Sequence, residues 1–128
     1  MKGKWDVLRT ASLATWIFLT AFAAGPPARA ASSAGAGLAV MKSKQCLICH
    51  TTTGQPLVGP SYKGIYGKKV TVMVKGRPEV KTVNEKYLKF MITNPGVWVV
   101  KGYQADMPKI RLTDEQVDDI IAYIKTLK

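Results

Sequence analysis

The chain has 128 residues and a formal charge of +11, from 19 Lys and Arg against 8 Asp and Glu. This length leaves no room for a second large domain. Two cysteines and one histidine are too few for a four-ligand Cys/His zinc site. The positive balance favours acidic partners, but no basic helix carries interleaved aromatics, which argues against nucleic acid.

Residues 1–30 read as a secretory signal peptide that is cleaved. Lys2, Lys4 and Arg9 form a basic start, Ala11 to Ala24 is mostly apolar, and Ala28-Arg29-Ala30 is an A-x-A cleavage site. The apolar run, about 14 residues, falls short of the roughly 20 needed to span a bilayer. Cleavage leaves Ala31 as the new terminus and a remainder with 15 basic and 7 acidic side chains. No stable membrane insertion is expected after cleavage, and a monomer is the default. Residues 31–37 are small and Gly/Ala/Ser-rich, which predicts a flexible leader. Residues 38–128 then form one small domain.

Leu38 to Cys46 predicts a first helix, with Leu38, Met41 and Gln45 on one face. It runs into Cys46-Leu47-Ile48-Cys49-His50, a C-x-x-C-H sequence of the kind that attaches a c-type haem. Two thiols at this spacing can add across two vinyl groups at one porphyrin edge, and the adjoining imidazole is placed for the iron. A thioredoxin-like pair would need a βαβ setting. Here Thr51-Thr52-Thr53-Gly54-Gln55-Pro56 follows and reads as loop. A plain disulfide would leave His50 without a role. Covalent haem c is also assembled outside the cytoplasm, in keeping with an exported chain.

Residues 51–69 are rich in Gly, Pro and Thr and predict a loop, with Tyr62, Ile65 and Tyr66 as haem-facing candidates. Val70 to Val74 and Val80 to Val83 predict a short hairpin about the Lys75-Gly76-Arg77-Pro78 turn. Asn84 is a good N-cap for a helix with Tyr87, Leu88, Met91 and Ile92 on its apolar face, stopped by Asn94-Pro95-Gly96. Residues 96–112 read as a loop containing Trp98, Tyr103 and Met107, with Trp98 and Tyr103 as further cofactor-lining candidates. The last helix is the clearest. Thr113-Asp114-Glu115-Gln116 is a capping box, and Val117, Ile120, Ile121, Ile124 and Leu127 form a stripe.

His50 is the sole histidine, so a second iron ligand from this chain must be Met, Lys or a terminus, unless water or nothing fills the position. Met41 and Met91 fall on apolar helix faces, where packing is the ordinary role. Met73 sits in the alternating strand. Met107 lies in a loop before Pro108, which biases its backbone toward an extended form.

At this point residues 36–128 resemble the small class I c-type cytochromes. The likeness rests on Cys46 to His50, Val58-Gly59-Pro60-Ser61-Tyr62, Gly102 to Pro108 and the terminal helix. Tyr87-Leu88, Asn94-Pro95 and Val100-Lys101-Gly102-Tyr103 are also similar to the cytochrome c domain fused to subunit II of some haem-copper oxidases. The resemblance implies an all-α class I cytochrome c fold, with three to four helices around one covalent haem c and its iron, plus the short β-hairpin insertion. It implies thioethers at Cys46 and Cys49, iron ligands at His50 and Met107, and a Pro60 carbonyl that accepts from the His50 ring. It also places Tyr123 where the first and last helices cross. Met41 stands where the family often has an aromatic, which implies a looser crossing.

The function implied is a periplasmic, monohaem, one-electron carrier, not an enzyme, working by outer-sphere transfer. Its partners would be redox proteins with acidic docking surfaces, a terminal oxidase or another membrane-bound redox complex among them. The rival reading is a haem-based ligand sensor or peroxidase-like protein in which Met107 leaves the iron. That reading lacks a second histidine for distal acid–base work. A third is a subunit held on a membrane complex by a retained residue 1–30 segment.

Overall fold

In the computed structural model, residues 31–128 are described; the expected signal segment and its Ala28-Arg29-Ala30 motif lie outside the described residues. The elements run α1 (Ala34–Ser43), α2 (Cys46–Cys49), β1 (Lys69–Val74), β2 (Arg77–Thr82), α3 (Glu85–Thr93), β3 (Trp98–Val100) and α4 (Asp114–Thr126). The helical fold with a small β insertion follows the expectation, but the first helix, the hairpin turn and a third strand differ from it.

Helix α1 starts earlier than the composition suggests. Ser33 caps it by accepting from the Ala36 N–H, and Ala34 to Gly37 form its first turn. Those residues are therefore helix, not flexible leader. The cause is tertiary. Gly37 is buried against α4, where an added Cβ would lie 2.6 Å from the Asp119 carbonyl carbon and 2.9 Å from the Tyr123 Cβ. Glycine is a poor helix former, but here it lets two backbones touch. The Asp119 carboxylate accepts from the Ser33 N–H at 2.8 Å, tying the start of α1 to the middle of α4. The crossing at Gly37 is close rather than loose, and Met41, one turn on, is fully buried in the core.

Helix α4 carries the predicted capping box, with Thr113 and Gln116 bonded reciprocally. Val117, Ile120, Ile121 and Ile124 are buried on its inner face. Each such side chain contributes about 1.5–3 kcal/mol of hydrophobic stabilisation. Leu127 ends the helix instead of extending the buried stripe. Asn84 caps α3 by accepting from the Tyr87 N–H, and α3 buries Tyr87, Leu88 and Ile92.

The hairpin forms with a tighter turn than predicted. Lys75 and Gly76 both have positive φ, at 49° and 78°, while Arg77 and Pro78 already belong to β2. Two central residues of positive φ match the right-handed twist of the flanking strands. The unforeseen element is β3. It pairs antiparallel with β1 (Val72 opposite Val100, Val74 opposite Trp98), giving a three-stranded sheet ordered β2-β1-β3. Val72 on the central strand is fully buried.

Candidate haem-binding site

Helix α1 ends at the Lys44 cap, and Gln45 takes a left-handed conformation (φ 61°) that redirects the chain into the single turn of α2. That turn carries Cys46 and Cys49, not joined to each other as a disulfide, with His50 just past its end in extended backbone. Burial pushes the Cys46 thiol above its ordinary pKa.

Residues 59–62 fold back over the His50 ring. The Gly59 N–H donates to the Cys49 carbonyl at 2.9 Å, and the Tyr62 N–H donates to the Thr51 carbonyl at 2.8 Å. The His50 Nδ1 lies 2.8 Å from the Pro60 carbonyl oxygen. A carbonyl can only accept, so the proton of this bond is on Nδ1 and the lone pair is left on Nε2. Burial lowers the His50 pKa and outweighs the Pro60 bond, which raises it. The ring is therefore neutral near pH 7, the form a metal requires. Gly59 is needed for space: a Cβ there would lie 2.7 Å from Nδ1 and 2.9 Å from Nε2. Tyr62 stacks its ring on the imidazole, with centroids 4.6 Å apart and planes inclined by 22°.

These groups open onto a cavity of about 430 Å³. Its walls gather Cys46, Cys49, His50, Pro60, Tyr62, Trp98, Tyr103 and Met107 from across the chain. Tyr66, the remaining sequence candidate, is not among the lining residues. Its ring instead lies 5.4 Å from the Lys125 ammonium. Trp98 reaches the cavity because β3 holds it there, packed 4.1 Å from Phe90 and under the Lys81 ammonium at 4.7 Å. Tyr87 stands beside it, and burial raises its hydroxyl pKa to about 12, so it remains neutral.

Two thioethers line the cavity, from Met91 on α3 and Met107 in the loop. Met41 and Met73 are not among its lining residues. Sequence reasoning treated Met91 as packing alone. It also gave no role to Gly59, whose signal was the Gly-Pro pair nine and ten residues beyond the histidine. The residues present fit a haem. Two thiols and a neutral imidazole share one turn, a glycine leaves room for the ring, and the facing wall is largely apolar with a thioether in it.

Comparison with known proteins agrees. The profile of the cytochrome c family matches residues 34–128. The chain is 31% identical to a cytochrome c2 of Rhodospirillum rubrum (strain ATCC 11170), covering 91% of this chain and 96% of that protein. A second Rhodospirillum rubrum cytochrome c2 is 31% identical, covering 67% of this chain and 91% of its own length. Among solved structures, cytochrome cH from Methylobacterium extorquens superposes with a TM-score of 0.53 at 29% identity. That match covers 74% of this chain and 99% of the other. The chain belongs to the cytochrome c family. It is a class I c-type cytochrome carrying one covalently bound haem c, and its work is electron transport rather than catalysis.

Proposed function

We propose that this cytochrome is a periplasmic carrier passing single electrons by outer-sphere transfer, with its iron held between His50 and Met107. The observation that carries this reading is the convergence of the attachment turn, the Pro60-bonded His50 and the Met107 loop on one apolar cavity. Bound there, haem c supplies a one-electron ferric/ferrous couple. Cys46 and Cys49 anchor it through thioethers, and His50 offers Nε2. Pro60 keeps the Nδ1 proton in place and so fixes tautomer and ring orientation. The Met107 thioether is a soft donor that favours ferrous iron and raises the potential. Trp98, Tyr87 and Leu88 keep water from the opposite wall.

Ile48 and Val58 stand at the cavity rim with 65% and 60% of their surface exposed. Apolar groups beside a redox centre, on a strongly basic molecule, suit brief contact with an acidic redox protein. Such docking weakens with salt. The likeness of Tyr87–Pro108 to the oxidase-fused domain makes a terminal oxidase the first acceptor to try. The basic start and A-x-A site of residues 1–30 support export. No helix among the described residues is long and apolar enough to cross a membrane.

The test is spectroscopic. Haem-loaded protein should show the far-red methionine-to-iron charge-transfer band when oxidised, and its ferrous form should not take up carbon monoxide. Ready binding of carbon monoxide would favour the ligand-sensing alternative instead.

A further inference from the structure

The His50 ring is constrained at three points. Its Nδ1–H is committed to the Pro60 carbonyl at 2.8 Å. The Gly59 backbone presses close enough that even a methyl group there would collide with the imidazole. The Tyr62 ring lies against it at 4.6 Å, inclined by 22°. The hydrogen bond alone leaves the ring free to rock about the line from Nδ1 to the carbonyl. A flat neighbour stacked on its face removes that freedom, because any rock opens or closes the ring-to-ring contact. An aliphatic side chain of similar bulk would touch the ring without selecting one plane.

The plane of an axial imidazole matters electronically. It decides which iron orbital the ring's π system overlaps, and hence the splitting and energy of the half-filled orbital in the ferric state. We propose that Tyr62 is a positioning residue for His50. Its stacked ring holds the plane in which the imidazole meets the iron, and so sets the ferric electronic structure and the reduction potential. This rests on the reading of His50 as an iron ligand. Tyr62 is itself held for the task, with its N–H bonded to Thr51 in the segment that follows the attachment turn.

The experiment compares haem-loaded wild type, Tyr62→Phe and Tyr62→Leu by low-temperature electron paramagnetic resonance of the ferric form and by redox titration. Phe keeps the flat ring and removes the hydroxyl; Leu keeps apolar bulk and removes the flat face. Tyr62→Phe should retain the wild-type g values. Tyr62→Leu should change their spread while keeping the far-red methionine band. It should also shift the reduced-to-oxidised ratio at fixed applied potential by about threefold or more, as expected if part of an aromatic pair's energy differs between oxidation states. Unchanged g values and potential in Tyr62→Leu, with only a lowered melting temperature, would reduce Tyr62 to packing and overturn the proposal. Should Tyr62→Leu fail to load haem, Tyr62→Phe decides alone: g values that move on loss of the hydroxyl would overturn the stack as the cause. If wild type itself lacks a low-spin histidine–methionine spectrum, the ligand assignment fails instead, and that result is distinguishable from either variant's.

Discussion

The two walls of the haem cavity are built by different means. One wall, residues 46–62, is local in sequence. A single helical turn, a return loop and three contacts on one imidazole lie within 17 residues, with hydrogen bonds at Gly59, Pro60 and Tyr62 binding the loop to the turn. The other wall is assembled from α3, β3 and the Met107 loop. It is tied to the rest of the fold by the pairing of β3 with β1 and by the Lys101 N–H to the Thr71 carbonyl, while the Tyr103 N–H turns back onto Val100 of β3 itself. The difference teaches that the side chain proposed as the permanent ligand, His50, is held by several short-range contacts. Met107, the proposed second ligand, is carried on irregular chain just before Pro108.

The largest effect should come from the first wall. Cys46→Ala with Cys49→Ala removes both thioether anchors, so a denaturing gel stained for haem should show no band at this chain's mass. Covalent haem surviving in that variant would break the comparison at its base. Next is Met107→Ala on the second wall. It should keep covalent haem, lose the far-red band, take up carbon monoxide, and lower the potential by on the order of 100 mV or more. Loss of haem from Met107→Ala would mean the second wall anchors as much as the first.

A control lies outside both walls. Gly37→Val forces a side chain into the Asp119 backbone and should cost about 3 kcal/mol in denaturant unfolding of the holoprotein, at the upper end of overpacking costs. Its spectrum should stay wild type. Smallest is Met91→Leu, a change of shape at nearly constant volume, which should cost under about 1.5 kcal/mol and leave the far-red band in place. Loss of that band in Met91→Leu, with retention in Met107→Ala, would exchange the roles of the two thioethers.

The first wall was legible in the sequence because its chemistry is contiguous. Cys46 to His50 states the cofactor outright, and Gly59-Pro60 follows at a short interval. The second wall was legible only in pieces. Met107 was singled out by its loop setting and by family resemblance. Met91 at the cavity was hidden, because helical periodicity cannot separate a core face from a cofactor face when one is continuous with the other. Strand β3 carried a signal that went unread: Val97-Trp98-Val99-Val100, bounded by Gly96 and Gly102, whose φ values of 83° and 94° mark turns at both ends. Tyr66 does not line the cavity, and a loop has no period from which its direction could be read. Ala34 to Gly37 looked flexible because propensity was weighed without the partner helix. Gly37 is helical because α4 needs it small.

The most direct test of the central claim is an optically monitored redox titration of the haem-loaded protein. Iron held between His50 and Met107 predicts a single one-electron transition at high potential, with the far-red band bleaching in step with reduction. A potential well below that of histidine–methionine haems, or a transition in which the band takes no part, would show that the iron does not bind Met107 and would contradict the account.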